Sequence, residues 1–117
     1  MSKTYNYYLT VTMKDLVSAI MVNEDRTEIR TGEVYDLYLD TMAKMKQKGI
    51  YGGVQYSREY LKEFKQEYEE EFEVGIGYIR LRDKYNMDWL QEHIVSYMSL
   101  IKLELLGLIE QNNTYTL

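Results

Sequence analysis

The pattern of apolar and polar positions changes period several times along this chain, and each change predicts an element. Residues 4–12, TYNYYLTVT, are rich in Tyr, Thr and Val and predict an N-terminal strand. The mostly apolar MKDLVSAIMV that follows predicts a short helix over residues 13–22, with Thr12 as N-cap and Asp15 suited to its first turn. NEDRTE is a polar loop and EIRT a brief extended piece. Thr31 is then expected to cap an amphipathic helix running to residue 48. Val34, Leu37, Tyr38, Thr41 and Met45 form its apolar stripe, opposite Glu33, Asp36, Asp40, Lys44 and Gln47. Gly49 suits the exit of that helix, and IYGGVQY reads as a turn-rich link.

Ser57 is placed to cap the next helix, in which Leu61, Phe64, Tyr68 and Phe72 recur at helical spacing over residues 58–72. Its end carries Glu67, Glu69, Glu70, Glu71 and Glu73, which oppose the helix dipole and repel one another. VGIGYIRL predicts one strand with Val74, Ile76 and Tyr78 on one side. The longest helix is expected over residues 87–106, with a core stripe of Leu90, Ile94, Tyr97, Ile101, Leu105 and Leu108. Its second half is apolar nearly all round, as in a helix buried on several sides by its own chain or by a partner. The closing LIEQNNTYTL fits a hairpin around Asn112-Asn113. The expected fold is mainly α with short β (α+β), with four to five helices, an N-terminal strand and a small hairpin. It forms one domain over residues 1–117, divided between residues 1–56 and 57–117.

Composition narrows the functional classes. At 117 residues and 45% hydrophobic content the chain can bury one core. The absence of Cys excludes a disulfide framework and a thiolate metal site. No apolar run is long enough to span a membrane, and the first residues lack the build of a signal peptide, so an intracellular, cytoplasmic location is expected. A single His without Cys argues against a transition-metal site. No phosphate-binding glycine motif or paired acid/base arrangement is present. The expectation is a non-enzyme without cofactor or metal. Tyr is abundant, at 13 residues, and Pro is absent.

Two stretches carry a resemblance. From Leu81 to the end, Tyr85-Asn86-Met87, Leu103, Leu106-Gly107-Leu108-Ile109 and Tyr115 resemble the second helix, reading helix and wing of a winged helix-turn-helix. Upstream, Thr31-Gly32-Glu33-Val34-Tyr35 with Leu37 and Tyr38 resembles the opening of the second helix in the winged-helix domain of archaeal Orc-type replication initiators. No initiator ATPase motif accompanies it.

The resemblance implies a regulator of transcription, replication or partition that binds double-stranded DNA, and the helix apolar nearly all round and the Tyr-rich segments point to a homodimer. Arg80, Arg82, Lys84, Asn86, Gln91, Ser96, Asn113 and Tyr115 would then face DNA, and Val95, Met98, Leu100 and Leu103 the second copy. A net charge of −5 and a sequence pI of about 4.9 pull the other way. The alternative is an acidic interaction module or inhibitor, of viral or plasmid type. It would use Glu67, Glu69, Glu70, Glu71 and Glu73 to hold a basic, nucleic-acid-processing protein. Equally, Arg80, Arg82 and Lys84 could be surface charges paired with that glutamate cluster.

Overall fold

The computed structural model describes residues 8–94 and 97–108, without the side chains of Tyr97 and Met98. It is an α+β fold, as expected from the apolar pattern. Its described elements are β1 (Tyr8–Val11), α1 (Met13–Glu24), β2 (Glu28–Arg30), α2 (Thr31–Lys48), β3 (Tyr51–Val54), α3 (Arg58–Glu67), β4 (Phe72–Gly75), β5 (Tyr78–Leu81), α4 (Met87–His93) and α5 (Tyr97–Leu105). None of the described helices is long and apolar enough to cross a membrane.

The central element is α1. Thr12 and Asp15 form a reciprocal cap. The Thr12 hydroxyl accepts from the Asp15 backbone N–H at 3.1 Å, and the Asp15 carboxylate accepts from the Thr12 N–H at 2.9 Å. Every residue from Leu16 to Met21 is buried, because α2, α3, α4, α5 and β2 all pack around this helix. Side chains such as Leu16 and Met21, fully removed from water, each contribute about 2–3 kcal/mol through burial of apolar area.

A three-stranded antiparallel sheet in the order β2-β5-β4 packs beside it. Ile79 on the middle strand faces Ile29 on one side and Val74 on the other, and Phe72 faces Leu81. Ile29, Ile79, Phe72 and Leu81 are all buried. Alternation thus puts one face of the sheet into the core, while Arg80 stands on the other. The single strand expected over residues 74–81 is therefore a hairpin. Ile76-Gly77 makes a two-residue turn, with Gly77 at φ +83°, where a side chain would be strained.

Three further expectations are corrected. The turn-rich link contains β3, which runs parallel to β1 with Leu9 opposite Gly52. A Cβ on Gly52 would lie 1.8 Å from the Leu9 carbonyl oxygen, so this glycine marks a close backbone approach inside a sheet. The helix expected over 58–72 stops at Glu67, and Phe72 reaches the core from a strand. The glutamates after residue 66 oppose the dipole of any longer helix. Finally, the helix expected over 87–106 is two helices, α4 and α5. Leu90, Ile94 and Leu108 are buried as expected. On α5, however, Ser99 and Leu103 face inward, as does Leu106 just past its end, and Ile101 and Leu105 are exposed.

The α2 stripe is as expected, with Val34, Thr41 and Met45 buried and Leu37 and Tyr38 packed against them. Thr31 lies inside the helix, and Arg30 stands at the N-cap. There the Glu33 carboxylate accepts the Arg30 N–H at 2.8 Å and a two-pronged pair from Arg26 at 2.6 and 2.8 Å. The Arg26 fork holds the Glu33 carboxyl down to about 2. Gly107 ends α5, with its N–H bonded to Glu104 and the Leu108 N–H to Leu103, as the apolar pattern suggested. The closing hairpin expected after it lies outside the described residues.

Candidate nucleic-acid interface

A groove bordered by three bases runs between α3 and the β4–β5 hairpin. Ser57 starts α3, its hydroxyl accepting the Tyr60 N–H at 3.1 Å. Phe64 then fixes the roll of the helix: it is buried, with its ring 5.3 Å from Phe72 and 5.0 Å from Tyr68. Once Phe64 points inward, Arg58, Lys62 and Lys65, spaced at 4 and 3, fall on one exposed flank. That flank borders the hairpin tip. Arg58, Leu61, Lys62, Lys65, Val74, Gly75 and Ile76 line a shallow groove of about 300 Å³ with no acid in its lining. Among the described residues none of the three bases is in an ion pair.

The hairpin is anchored where it meets the groove. Its turn is tied to the start of α2 by a bond from the Thr31 N–H to the Gly77 carbonyl at 3.0 Å. On its outer face the Glu73 carboxylate accepts from the Tyr78 hydroxyl and from Arg80, both at 2.5 Å. Those two donors, Tyr78 foremost, hold the Glu73 carboxyl below its usual range. Ile76 at the tip is wholly exposed.

The residues expected to meet DNA lie elsewhere and are largely engaged. Arg80 binds Glu73 and, at 3.1 Å, Asp83. Arg82 donates from Nε to the Glu69 carbonyl at 2.9 Å. The Lys84 ammonium sits 5.9 Å from the centre of the Tyr85 ring. Asn86 caps α4, its side chain accepting the Trp89 N–H at 2.9 Å. Gln91 is exposed on α4. Ser96, Asn113 and Tyr115 lie outside the described residues. The pairing with nearby acids, the alternative for Arg80, Arg82 and Lys84, holds for Arg80; Arg82 meets a backbone carbonyl instead, and neither it nor Lys84 is in an ion pair among the described residues.

Of the expected dimer contacts, Leu103 is fully buried within its own chain and Leu100 is half-buried, packed partly against the core. Val95 and the Met98 side chain lie outside what is described. The acidic cluster divides in two. Glu73 is absorbed into the hairpin, while Gln66, Glu67, Glu69, Glu70, Glu71 and Arg82 line a polar hollow where α3 ends. His93 is exposed, its ring stacked on Trp89 at 5.1 Å. Among the described residues no group of three or more His, Cys, Asp or Glu could hold a metal ion.

On its other flank α3 faces a second cleft, of about 260 Å³, that sequence reading missed. Tyr60, Glu63, Glu67 and Tyr68 line it with Asp15, Ser99 and Lys102. At its base the Lys102 ammonium donates to the buried Asp15 carboxylate and to the Thr10 carbonyl, each at 2.7 Å. This pair joins α1, α5 and β1 across 87 residues of sequence. No spacing signals it, because Asp15 already has a local reason to exist as a cap.

No family model, no curated protein and no solved structure matches this chain.

Proposed function

We propose that the chain is a winged-helix DNA-binding protein in which α3 is the reading helix and the β4–β5 hairpin the wing. The winged-helix elements thereby move upstream from residues 81–117 to α1, α2, α3 and the hairpin. The upstream resemblance, which opens on Thr31-Gly32-Glu33, is the one this reading keeps. The observation that carries it is the groove: three unpaired bases on one flank of a helix, side by side with a hairpin tip. A reading helix enters the major groove with its N-terminal residues leading, and Arg58 and Lys62 lie in that half of α3. Glu59 and Glu63 also stand on α3 but do not line the groove, and the densest glutamate run, Glu67 to Glu71, lies at the opposite end. The excess of acid over the whole chain does not prevent binding, because the potential at a contact is set locally.

Fluorescence anisotropy with random duplex at about 50 mM salt tests the reading, since non-specific binders register there with micromolar affinity. Replacing Arg58, Lys62 and Lys65 together by Ala should lower affinity at least tenfold. It should also flatten the slope of log affinity against log salt by about 3, near one unit for each phosphate that is no longer neutralised. Arg82→Ala should leave the slope unchanged. No binding at tens of micromolar, or full binding by the triple variant, would sink the proposal.

A basic protein partner is the second reading. The glutamate-lined hollow at the end of α3 supports it, with Glu69 and Glu70 exposed. Capture of a basic partner that survives Glu69→Lys, Glu70→Lys and Glu71→Lys together would rule out that surface.

A further inference from the structure

The outer face of α2 carries an apolar stripe that the described residues leave partly exposed. Tyr35, Leu39 and Met42 are each 45% exposed, although the inward stripe of the same helix is buried. Their spacing of 4 and then 3 places them in one row, and Lys46 continues it at the next interval of 4. This is the seam spacing by which two helices pack side by side. Tyr35 is held in place for such a role. Its ring lies 5.9 Å from that of Tyr38 and 5.7 Å from that of Tyr56, so little rotamer freedom remains to be given up on association.

The charges beside the stripe say what could lie on it. Asp36 flanks the N-terminal end of the row, Lys46 closes its other end, and Lys48 lies on the opposite side of the helix. Among the described residues none of these three is in an ion pair. A second copy of the same helix laid antiparallel, with the two-fold axis between Leu39 and Met42, sets Leu39 against Met42 of the other copy. The Tyr35 ring then meets the stem and ammonium of the opposite Lys46, a cation–π contact. Asp36 of each copy falls beside the lysine end of the other, and the two helix dipoles oppose. A parallel pairing would bring Lys46 against Lys46 and align the two helix dipoles. The surface is therefore complementary to itself under a two-fold axis, as an isologous interface must be.

We infer that the outer face of α2 is a homodimer interface, in which Tyr35, Leu39 and Met42 pack against an antiparallel α2 of a second copy. None of the three lines the groove beside α3. The inference does not rest on DNA binding, and its test contains no nucleic acid, so the two can fail separately.

Sedimentation velocity of the full chain over about 5–200 µM reads it directly. The expected result is a concentration-dependent rise from the 14.0 kDa monomer toward twice that mass. Leu39→Arg should leave a monomer over the whole range, with a far-ultraviolet circular dichroism spectrum like that of the parent. Asp36→Lys and Lys46→Glu should each weaken the dimer at least tenfold, and the double exchange should restore it, because each copy then carries the complementary pair. A parent that stays monomeric, or a Leu39→Arg variant that still dimerises, overturns the interface. A double exchange without recovery overturns the antiparallel arrangement.

Discussion

At the scale of single residues, the Asp15–Lys102 pair has the most at stake. Asp15 is 1% exposed and its Oδ1 has no partner, so the carboxylate depends on what Oδ2 receives. Two donors reach Oδ2, the Thr12 N–H and the Lys102 ammonium. Removing one member of a buried pair leaves the other charge uncompensated, and that loss commonly exceeds what the pair itself contributes. Lys102→Met keeps most of the side-chain volume and removes only the charge. It should cost about 3 kcal/mol and lower the melting temperature by on the order of 10 °C. Asp15→Asn combined with Lys102→Met should recover a large part of that, since Asn can still cap α1 and carries no charge to bury. Urea melts of the three variants check both statements. A cost below about 1 kcal/mol for Lys102→Met would mean that water already solvates Asp15.

At the scale of elements, Gly52 decides whether the two-stranded parallel sheet exists at all. Its neighbour across β1 leaves no room for a methyl group, and the obstructing atom is a backbone carbonyl oxygen that cannot rotate away. Gly52→Ala should therefore destabilise by about 3 kcal/mol, at the upper end of overpacking costs. Gly53→Ala, whose Cβ would first meet the Tyr8 hydroxyl at 3.6 Å, should be tolerated by comparison. Thermal denaturation of the two variants separates them. The same pair shows how far elements were legible in the sequence. Helices read well where a cap and a stripe agreed, as with Thr12 before α1 and the Val34–Met45 stripe of α2. Glycines misled, because Gly-Gly in the link and Gly-x-Gly in the hairpin carry the same residue for different reasons. One is a close approach inside a sheet and the other a turn. Helix ends misled as well. Apolar spacing continued through Phe72, while the glutamates that stop α3 carried no weight in a periodicity. The basic flank of α3, Arg58, Lys62 and Lys65, was passed over in favour of Arg80, Arg82 and Lys84. Only the inward turn of Phe64 and the folding back of the hairpin reveal that this flank borders a groove, and both depend on contacts distant in sequence.

At the scale of the whole molecule, two opposite fields lie along one helix. The flank of α3 offers three positive charges to the groove, and its C-terminal end offers the glutamate-lined hollow. With a net charge of −5 the chain as a whole repels a polyanion, so the proposed association with DNA would proceed through a small attractive window in a repulsive surface. Such repulsion acts across the Debye length, which is about 10 Å at 0.1 M salt and about 3 Å at 1 M. Direct phosphate contacts respond differently, through release of counterions in proportion to their number. The two contributions can therefore be separated on one protein. Changing Glu69, Glu70 and Glu71 together to Gln removes long-range repulsion and leaves Arg58, Lys62 and Lys65 untouched. The expected result in stopped-flow binding to duplex DNA is a several-fold faster association at about 50 mM salt. The gain should shrink toward nothing as salt rises, with little change in the dissociation rate. If the glutamates instead touched the duplex, the dissociation rate would change as well, and α3 would have to lie on DNA along its whole length. If they serve a basic protein, the same variant binds DNA faster and loses that partner, so one set of substitutions reports on both readings.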